Sequence, residues 1–299
     1  MIWVWAENGP DAGLESALTP PHLIPELDDE QGLASGRVFR QGVQHTDLAY
    51  GWDIMIENFV DPAHVPCAHH GIAGDRYKDA RPINVEPDEE WPVTATSGFR
   101  FKFDDELTST QNQLTFVPPC LVLVENSDYA GTLKMTLYGI PTKPGWSRLV
   151  GRQAYVHKYA PKSKEAKALH KENKRLGNKP SELLKTARIT SKFPQWLMHA
   201  SSGLFLYQDM AFLHHQEKTL ASVGYDGTSA SSYANAVYTP APADRAVMAV
   251  RKWIAKHGSG GPRGTKTATR PCRSVNTIAK PCSTSMRATR KRAAPACVR

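Results

Sequence analysis

Nothing in the 299 residues approaches a run of eighteen apolar side chains, so the sequence offers no membrane-spanning helix. A His-Glu-x-x-His string, the helical metal site that carries its own general base, is also missing, which counts against a metal-dependent hydrolase of that kind. Cysteine is scarce: Cys67, Cys120, Cys272, Cys282 and Cys297 make five, an odd number. The opening residues do not read as a secretory leader, so a disulfide framework is a poor reading and a reducing compartment fits better. Cys120, behind Pro118-Pro119, has no patterned partner and reads as a small buried hydrophobe. Acidic residues are missing from Gly258 to Arg299, where ten Lys and Arg stand alone. The rest of the chain then holds 37 − 10 = 27 basic against 29 acidic residues, a balance of about −2. The chain's basicity belongs to that tail, and the body lacks the cationic excess that would track nucleic-acid phosphates. No internal repeat is visible.

What is present is an ordinary globular composition, 40% hydrophobic and 22% charged. Met1-Ile-Trp-Val-Trp-Ala-Glu-Asn-Gly9 reads as a buried strand ending in a turn. Pro and acidic residues from Thr19 to Asp29 read as a surface connection. A helical region is expected from Trp52 to His70, interrupted by Pro62 and Pro66. Strand-like runs follow at Val93–Phe103, Gln111–Val117, Leu121–Glu125, Thr132–Ile140 and Arg148–His157, separated by turn residues, which predicts an antiparallel sheet. Ser163–Leu176 reads as a charged helix, Phe193–Leu220 as a long helix and Ala243–His257 as an amphipathic one. From Gly258 onward the Thr-, Arg-, Pro- and Ala-rich tail has no apolar face and is expected to be disordered.

The stretch richest in chemistry is Glu57-Asn58-Phe-Val-Asp61-Pro-Ala-His64-Val-Pro-Cys-Ala-His69-His70-Gly71. Asp61 and His64, three apart, share one side of a helical turn. His64 and His69, five apart, would point to different faces of a continuous helix. Pro66 lies between them and disfavours helix before it, so a break there is expected to bring both imidazoles together. Two imidazoles with a carboxylate and open positions form the facial set of non-haem Fe(II) oxygenases.

Asn58-x-x-Asp61-Pro-x-His64-x-x-x-x-His69 resembles the mononuclear iron motif of Rieske oxygenases. More narrowly, Asp61-Pro-Ala-His-Val-Pro, Ala-His-His-Gly71, Gly-Asp-Arg76 and Ala-Arg-Pro82 are similar to the pheophorbide a oxygenase group of that family. So is Leu206-Tyr-Gln-Asp209-Met-Ala-Phe-Leu213 with Gln216-Glu217. The likeness runs from about Ile2 to His257, and the iron motif is its most specific part.

Carried over by that resemblance, His64 and His69 would be ligands of a mononuclear Fe(II), with Asp209 the third. Asp61 would link this site to a Rieske histidine of a neighbouring subunit, and Asn58 would sit beside the iron without ligating it. Rivals remain. Glu217, His214 and His215 lie near Asp209, and an acidic residue on an exposed helix face is usually just solvated. The apolar Leu204, Phe205, Phe212 and Leu213 around Asp209 argue for burial, which demands a partner or a metal. His70 competes with His69, and His214-His215 reads as a polar helix face rather than a second metal site. Trp196, Phe205, Tyr207 and Phe212 are expected to pack in the core, with lining of a pocket for a flat macrocycle as the alternative.

The sequence departs from the family in one respect. A Rieske [2Fe–2S] cluster takes two Cys and two His. Only Cys67-Ala-His69 offers half of the pattern, and Cys67-Ala-His-His70 reuses the same cysteine. The Rieske domain is therefore expected to be missing, with residues 1–30 the remnant of its border and a linker, as in a truncated gene model or fragment. Residues 31–257 would form the mononuclear-iron catalytic domain and 258–299 the basic disordered tail. The group's usual Cys-x-x-Cys segment and hydrophobic anchoring helices are not found after His257.

The fold implied is α+β, a helix-grip (START-like) curved antiparallel sheet around a long C-terminal helix. The function implied is oxygenation of a hydrophobic, tetrapyrrole-type substrate of chlorophyll breakdown. Electrons would arrive from ferredoxin or a reductase through a Rieske centre, in a homotrimer associated with a chloroplast membrane, and the chain alone would be inactive. A non-catalytic pigment- or lipid-binding module and a metal-dependent hydrolase are the alternatives.

Overall fold

Phe99, Phe101 and Phe103 alternate with Arg100, Lys102 and Asp104, and this period of two puts three aromatic rings on one face of a strand. The computed structural model, which describes residues 10–18, 25–105, 109–178, 181, 185–186, 189–190, 193–225 and 229–258, extends that strand into an eight-stranded antiparallel sheet. The strands are β1 (Val38–Arg40), β2 (Gln44–Leu48), β3 (Glu86–Pro87), β4 (Phe99–Asp105), β5 (Thr110–Val117), β6 (Leu121–Ser127), β7 (Gly131–Lys143) and β8 (Trp146–His157). Their order is β1-β8-β7-β6-β5-β4-β3, and β2 pairs with the first half of β8 while β1 pairs with its second half. The expected strand near Ile2, part of the connection after Thr19 and the tail beyond Gly258 lie outside the described residues. Among the described residues no helix is long and apolar enough to cross a membrane.

The helices are α1 (Ala12–Leu18), α2 (Glu30–Ala34), α3 (Trp52–Val60), α4 (Val65–Ala68), α5 (Lys164–Arg175), α6 (Gln195–Ser222), α7 (Ala230–Ala236) and α8 (Arg245–His257). Trp52, Ile56 and Val60 of α3 join Phe99, Phe116, Val122 and Val124 of the sheet and Ala246, Val250 and Ile254 of α8 in the main core. A second cluster joins Leu48, Tyr50, Ile54 and Met55 to Leu206 and Leu220 of α6. Gly139 of β7 has no side chain because α3 crosses there: a Cβ would come within 3.1 Å of Ile56 Cδ1 and 3.2 Å of Met55 Sδ. The α+β architecture and antiparallel sheet expected from the sequence are present.

Three expectations are corrected. The strand expected from Val93 starts only at Phe99. Thr94 and Ser97 exchange hydroxyl–amide hydrogen bonds at 2.9 and 3.1 Å and fold that segment into a turn. Short β1, β2 and β3 were not anticipated, because Gln44-His-Thr-Asp-Leu48 is mostly polar and borrows its order from β8. The helical region of residues 52–70 is interrupted at Pro62, as expected, but not at Pro66. Helix α3 ends at Asp61, whose extended backbone (φ −96°, ψ 105°) is what a following proline favours. Pro66 breaks nothing: it sits in the first turn of α4, where a missing N–H costs little.

Candidate metal centre

Helix α4 is a single turn, and its two flanking residues are the histidines. His64 stands before it and His69 after it, so a spacing of five, unsuited to one face of a long helix, here brackets one turn. The His64 carbonyl accepts the Ala68 amide at 2.7 Å and the Val65 carbonyl accepts that of His69 at 3.0 Å. The chain then doubles back through Gly74. Its φ of +156° and a would-be Cβ only 2.8 Å from Pro66 Cα restrict this position to glycine. The imidazoles meet edge to face, 5.4 Å between centroids.

Each ring is oriented from behind. His64 Nδ1 lies 2.5 Å from the Asp61 carbonyl oxygen and His69 Nδ1 3.3 Å from Gln208 Oε1. In a neutral ring Nδ1–H donates to that oxygen, which leaves Nε2 with its lone pair. Both Nε2 atoms face Asp209: Oδ1 is 3.8 Å from that of His64 and 3.2 Å from that of His69. The three ligand atoms lie within 4.8 Å of one another, the one such group among the described residues.

Asp209 is 3% exposed and His69 is fully buried, yet His69 Nε2 has no hydrogen-bond partner. An orphaned ring nitrogen beside a buried carboxylate is costly in protein alone and is what a divalent cation would satisfy. Two imidazoles backed by oxygen acceptors plus one carboxylate suit a ferrous ion. The Asp209 carboxylate, after burial itself, also pushes the Tyr50 phenol above its ordinary pKa.

The other sequence candidates fall in different places. Asp61 does not share a helical turn with His64; it caps α3, its Oδ1 accepts the Ala63 amide at 2.8 Å and its Oδ2 is 3.8 Å from His64 Nδ1. Burial raises its pKa, against the pull of His64. Asn58 lines the same cavity as Asp61, His64 and Asp209, a space of about 440 Å³. His70 turns away, its Nδ1 accepting the Arg76 amide at 3.1 Å. Glu217 is drawn to the start of α3, where it accepts the Gly51 amide at 3.2 Å. His214 is not on a polar face: it is buried, with Nδ1 2.7 Å from the Ala49 carbonyl, while His215 is exposed.

Of the four aromatic residues of α6, Phe205 packs against the second core cluster as expected and the other three do not. Trp196 (71% exposed), Tyr207 (53%) and Phe212 (61%) lie largely outside the core, as does Leu204 (66%). Phe212 lines the cavity and Phe205 stacks on His69 with 3.5 Å between centroids. Asp209 is buried on the face of Leu206 and Leu220, opposite Leu204, so sequence adjacency was a poor guide to its neighbours. Cys120 is half-buried against the main core, and burial pushes its thiol up to about 11.

Sequence reasoning missed two features. Gln208 orients His69, and nothing in its own neighbourhood announces that. Arg251 of α8 is 1% exposed and ion-pairs with Glu57 and Asp53 of α3, with its Nη1 also donating to Tyr225 Oη at 2.8 Å. Its guanidinium lies 4.4 Å from the Tyr233 ring centroid. A charge on the apolar side of α8, among Ala246, Val250 and Ile254, was the available signal.

Comparison with known proteins bears on this geometry. Residues 116–226, which include Asp209, match the family model of pheophorbide a oxygenase. Flavonoid 8-hydroxylase 2 of Ocimum basilicum is 25% identical over 278 residues, 86% of this chain and 44% of that protein. Pheophorbide a oxygenase of Arabidopsis thaliana is 28% identical over 279 residues, 88% of this chain and 44% of that protein. The chain thus spans less than half the length of these curated relatives. Among solved structures, the NdmA QL mutant of Pseudomonas putida CBB5 with caffeine shares the fold at a TM-score of 0.50 and 17% identity, over 84% of this chain and 58% of that one. By sequence, the chain is similar to pheophorbide a oxygenase.

Proposed function

We propose that the chain is the iron-binding, catalytic portion of an oxygenase acting on a hydrophobic ring compound, a tetrapyrrole foremost. The observation that carries this is the convergence of His64 Nε2, His69 Nε2 and Asp209 Oδ1 beside a cavity, with the His69 nitrogen buried and unpartnered. A ferrous ion bound there supplies dioxygen activation. Hydrogen bonds from the Nδ1 atoms of His64 and His69 to the Asp61 carbonyl and the Gln208 amide oxygen would orient both rings and leave Nε2 free to hold the metal. Asp209 would hold the metal from its buried position and offset part of its charge. Phe212, Leu213 and Val247 give the cavity its apolar wall, and Asn58 and Gln216 give it polar groups to orient a ligand. The names of these relatives, one citing pheophorbide a and one flavonoids, both chloroplastic, support a flat ring substrate and a plastid setting.

Residues 31–257 are read as one catalytic domain related to the helix-grip folds. The 299 residues hold no Cys-x-His and Cys-x-x-His pair for a [2Fe–2S] cluster, so electrons are assigned to a Rieske centre outside them, fed by ferredoxin or a reductase. Asp61, a quarter exposed and next to His64, is the coupling residue in this reading, facing a neighbouring subunit of a homotrimer. The test supplies the iron-loaded chain with pheophorbide a and 18O2, with or without a Rieske-domain protein, ferredoxin and its reductase. Label is expected in the product only when the Rieske centre is present. Asp61→Asn should lower that turnover while leaving iron content unchanged. Unlabelled product in every arm would contradict the oxygenase reading, and sustained turnover without an iron–sulfur centre would contradict the electron route.

A further inference from the structure

Arg76 is the only Lys or Arg among the described residues lining the cavity. The other ionisable groups there, apart from His64, Cys67 and Tyr233, are the carboxylates of Glu57, Asp61, Asp209 and Asp244. Arg76 is exposed, which puts it at the mouth, and its guanidinium has no ion-pair partner among the described residues although Asp75 and Asp79 are close in sequence. Those two carboxylates are engaged by the loop itself. Asp75 Oδ1 accepts the Tyr77 amide at 2.9 Å, and Asp79 Oδ2 accepts the Asp75 amide at 2.8 Å. The Arg76 amide donates to His70 Nδ1 at 3.1 Å, and the His70 ring meets Tyr77 edge to face, 5.6 Å between centroids. The loop is therefore ordered by its own polar groups, while its one cavity-facing cation is left uncompensated.

We propose that Arg76 receives an anionic substituent of the substrate, a carboxylate foremost, at the mouth of this cavity. The inference rests on the oxygenase reading above and adds to it the chemical class and orientation of the substrate. A carboxylate deeper in the cavity would face Asp61 and Asp244, and like charges at close range repel. At the mouth it meets a planar fork of N–H donors that matches its two oxygens. The substrate is thus amphiphilic: its apolar body lies along Phe212, Leu213 and Val247, and its acid points outward to Arg76.

The test is a binding titration of the chain with pheophorbide a, which carries a free propionate, and with its methyl ester, read by pigment fluorescence. The free acid should bind about tenfold more tightly than the ester, the size of one partly exposed charge-assisted contact. Arg76→Ala should bring the acid down to the level of the ester without changing the ester or the Tm. Arg76→Lys should keep part of the preference, having the charge without the fork. Equal binding of acid and ester by the unaltered chain, or a preference that survives Arg76→Ala, would overturn the role of Arg76 while leaving the oxygenase reading intact. Failure of both pigments to bind would overturn this proposal together with the tetrapyrrole reading.

Discussion

Replacing His64 or His69 by alanine lowers ferrous affinity by more than about 100-fold, because loss of even an outer partner of a metal-bound imidazole typically costs about 10–100-fold. The two variants differ in a useful way. His69 is fully buried and stacked on Phe205, so its removal also opens a cavity and lowers stability. His64 has a side chain 21% exposed, and its removal should leave the fold largely intact. Anaerobic Fe(II) titration of both, with a melting curve for each, separates lost ligation from lost folding. Undiminished affinity in a folded His64→Ala protein would exclude it as a ligand.

Arg251→Ala should be the most damaging single change away from the metal centre. It leaves Glu57 buried without its counter-charge, and breaking a buried pair in this way costs roughly 3–5 kcal/mol. Burial already raises the Glu57 pKa, and Arg251 is the largest influence opposing it, so the variant drives Glu57 toward its protonated form. At this chain length the loss corresponds to a Tm lower by about 6–20 °C. The double variant Glu57→Leu with Arg251→Met should recover most of it, since an apolar pair of similar volume removes both desolvation costs. A Tm within a degree of the unaltered chain for Arg251→Ala would show that the cluster does not hold α3 against α8. Asn58 and Asp61 sit at the end of α3, so the same variant should also loosen the cavity wall.

The sequence made the sheet legible wherever polar and apolar residues alternate, as in Phe99-Arg-Phe-Lys-Phe103, and hid it where a strand is short and polar, as in β2. The two histidines come together because the string cannot continue one helix, and of the two prolines expected to interrupt it only Pro62 does. Pro62 ends α3 through Asp61, and Pro66 opens the next turn. Asp209 lies beside both rings, with Oδ1 3.8 Å from His64 Nε2 and 3.2 Å from His69 Nε2. Asp209 is buried, as its apolar neighbours suggest, with Phe205 and Leu213 packed against the second core cluster, although Leu204 and Phe212 are exposed. Contacts between residues far apart in the chain had no local signal. Glu57 and Arg251 are 194 residues apart, and His69 and Gln208 are 139 apart. In each case helix periodicity could at most have marked a polar side chain on a face where apolar ones are expected.

The most direct test of the central claim is the iron ligand shell of the unaltered chain, loaded with Fe(II) under anaerobic conditions and measured by X-ray absorption. The account predicts one tightly held iron per chain, two imidazole ligands in its scattering pattern, and loss of one of them in His64→Ala. A chain that retains no iron, or holds it with oxygen ligands alone, would contradict it.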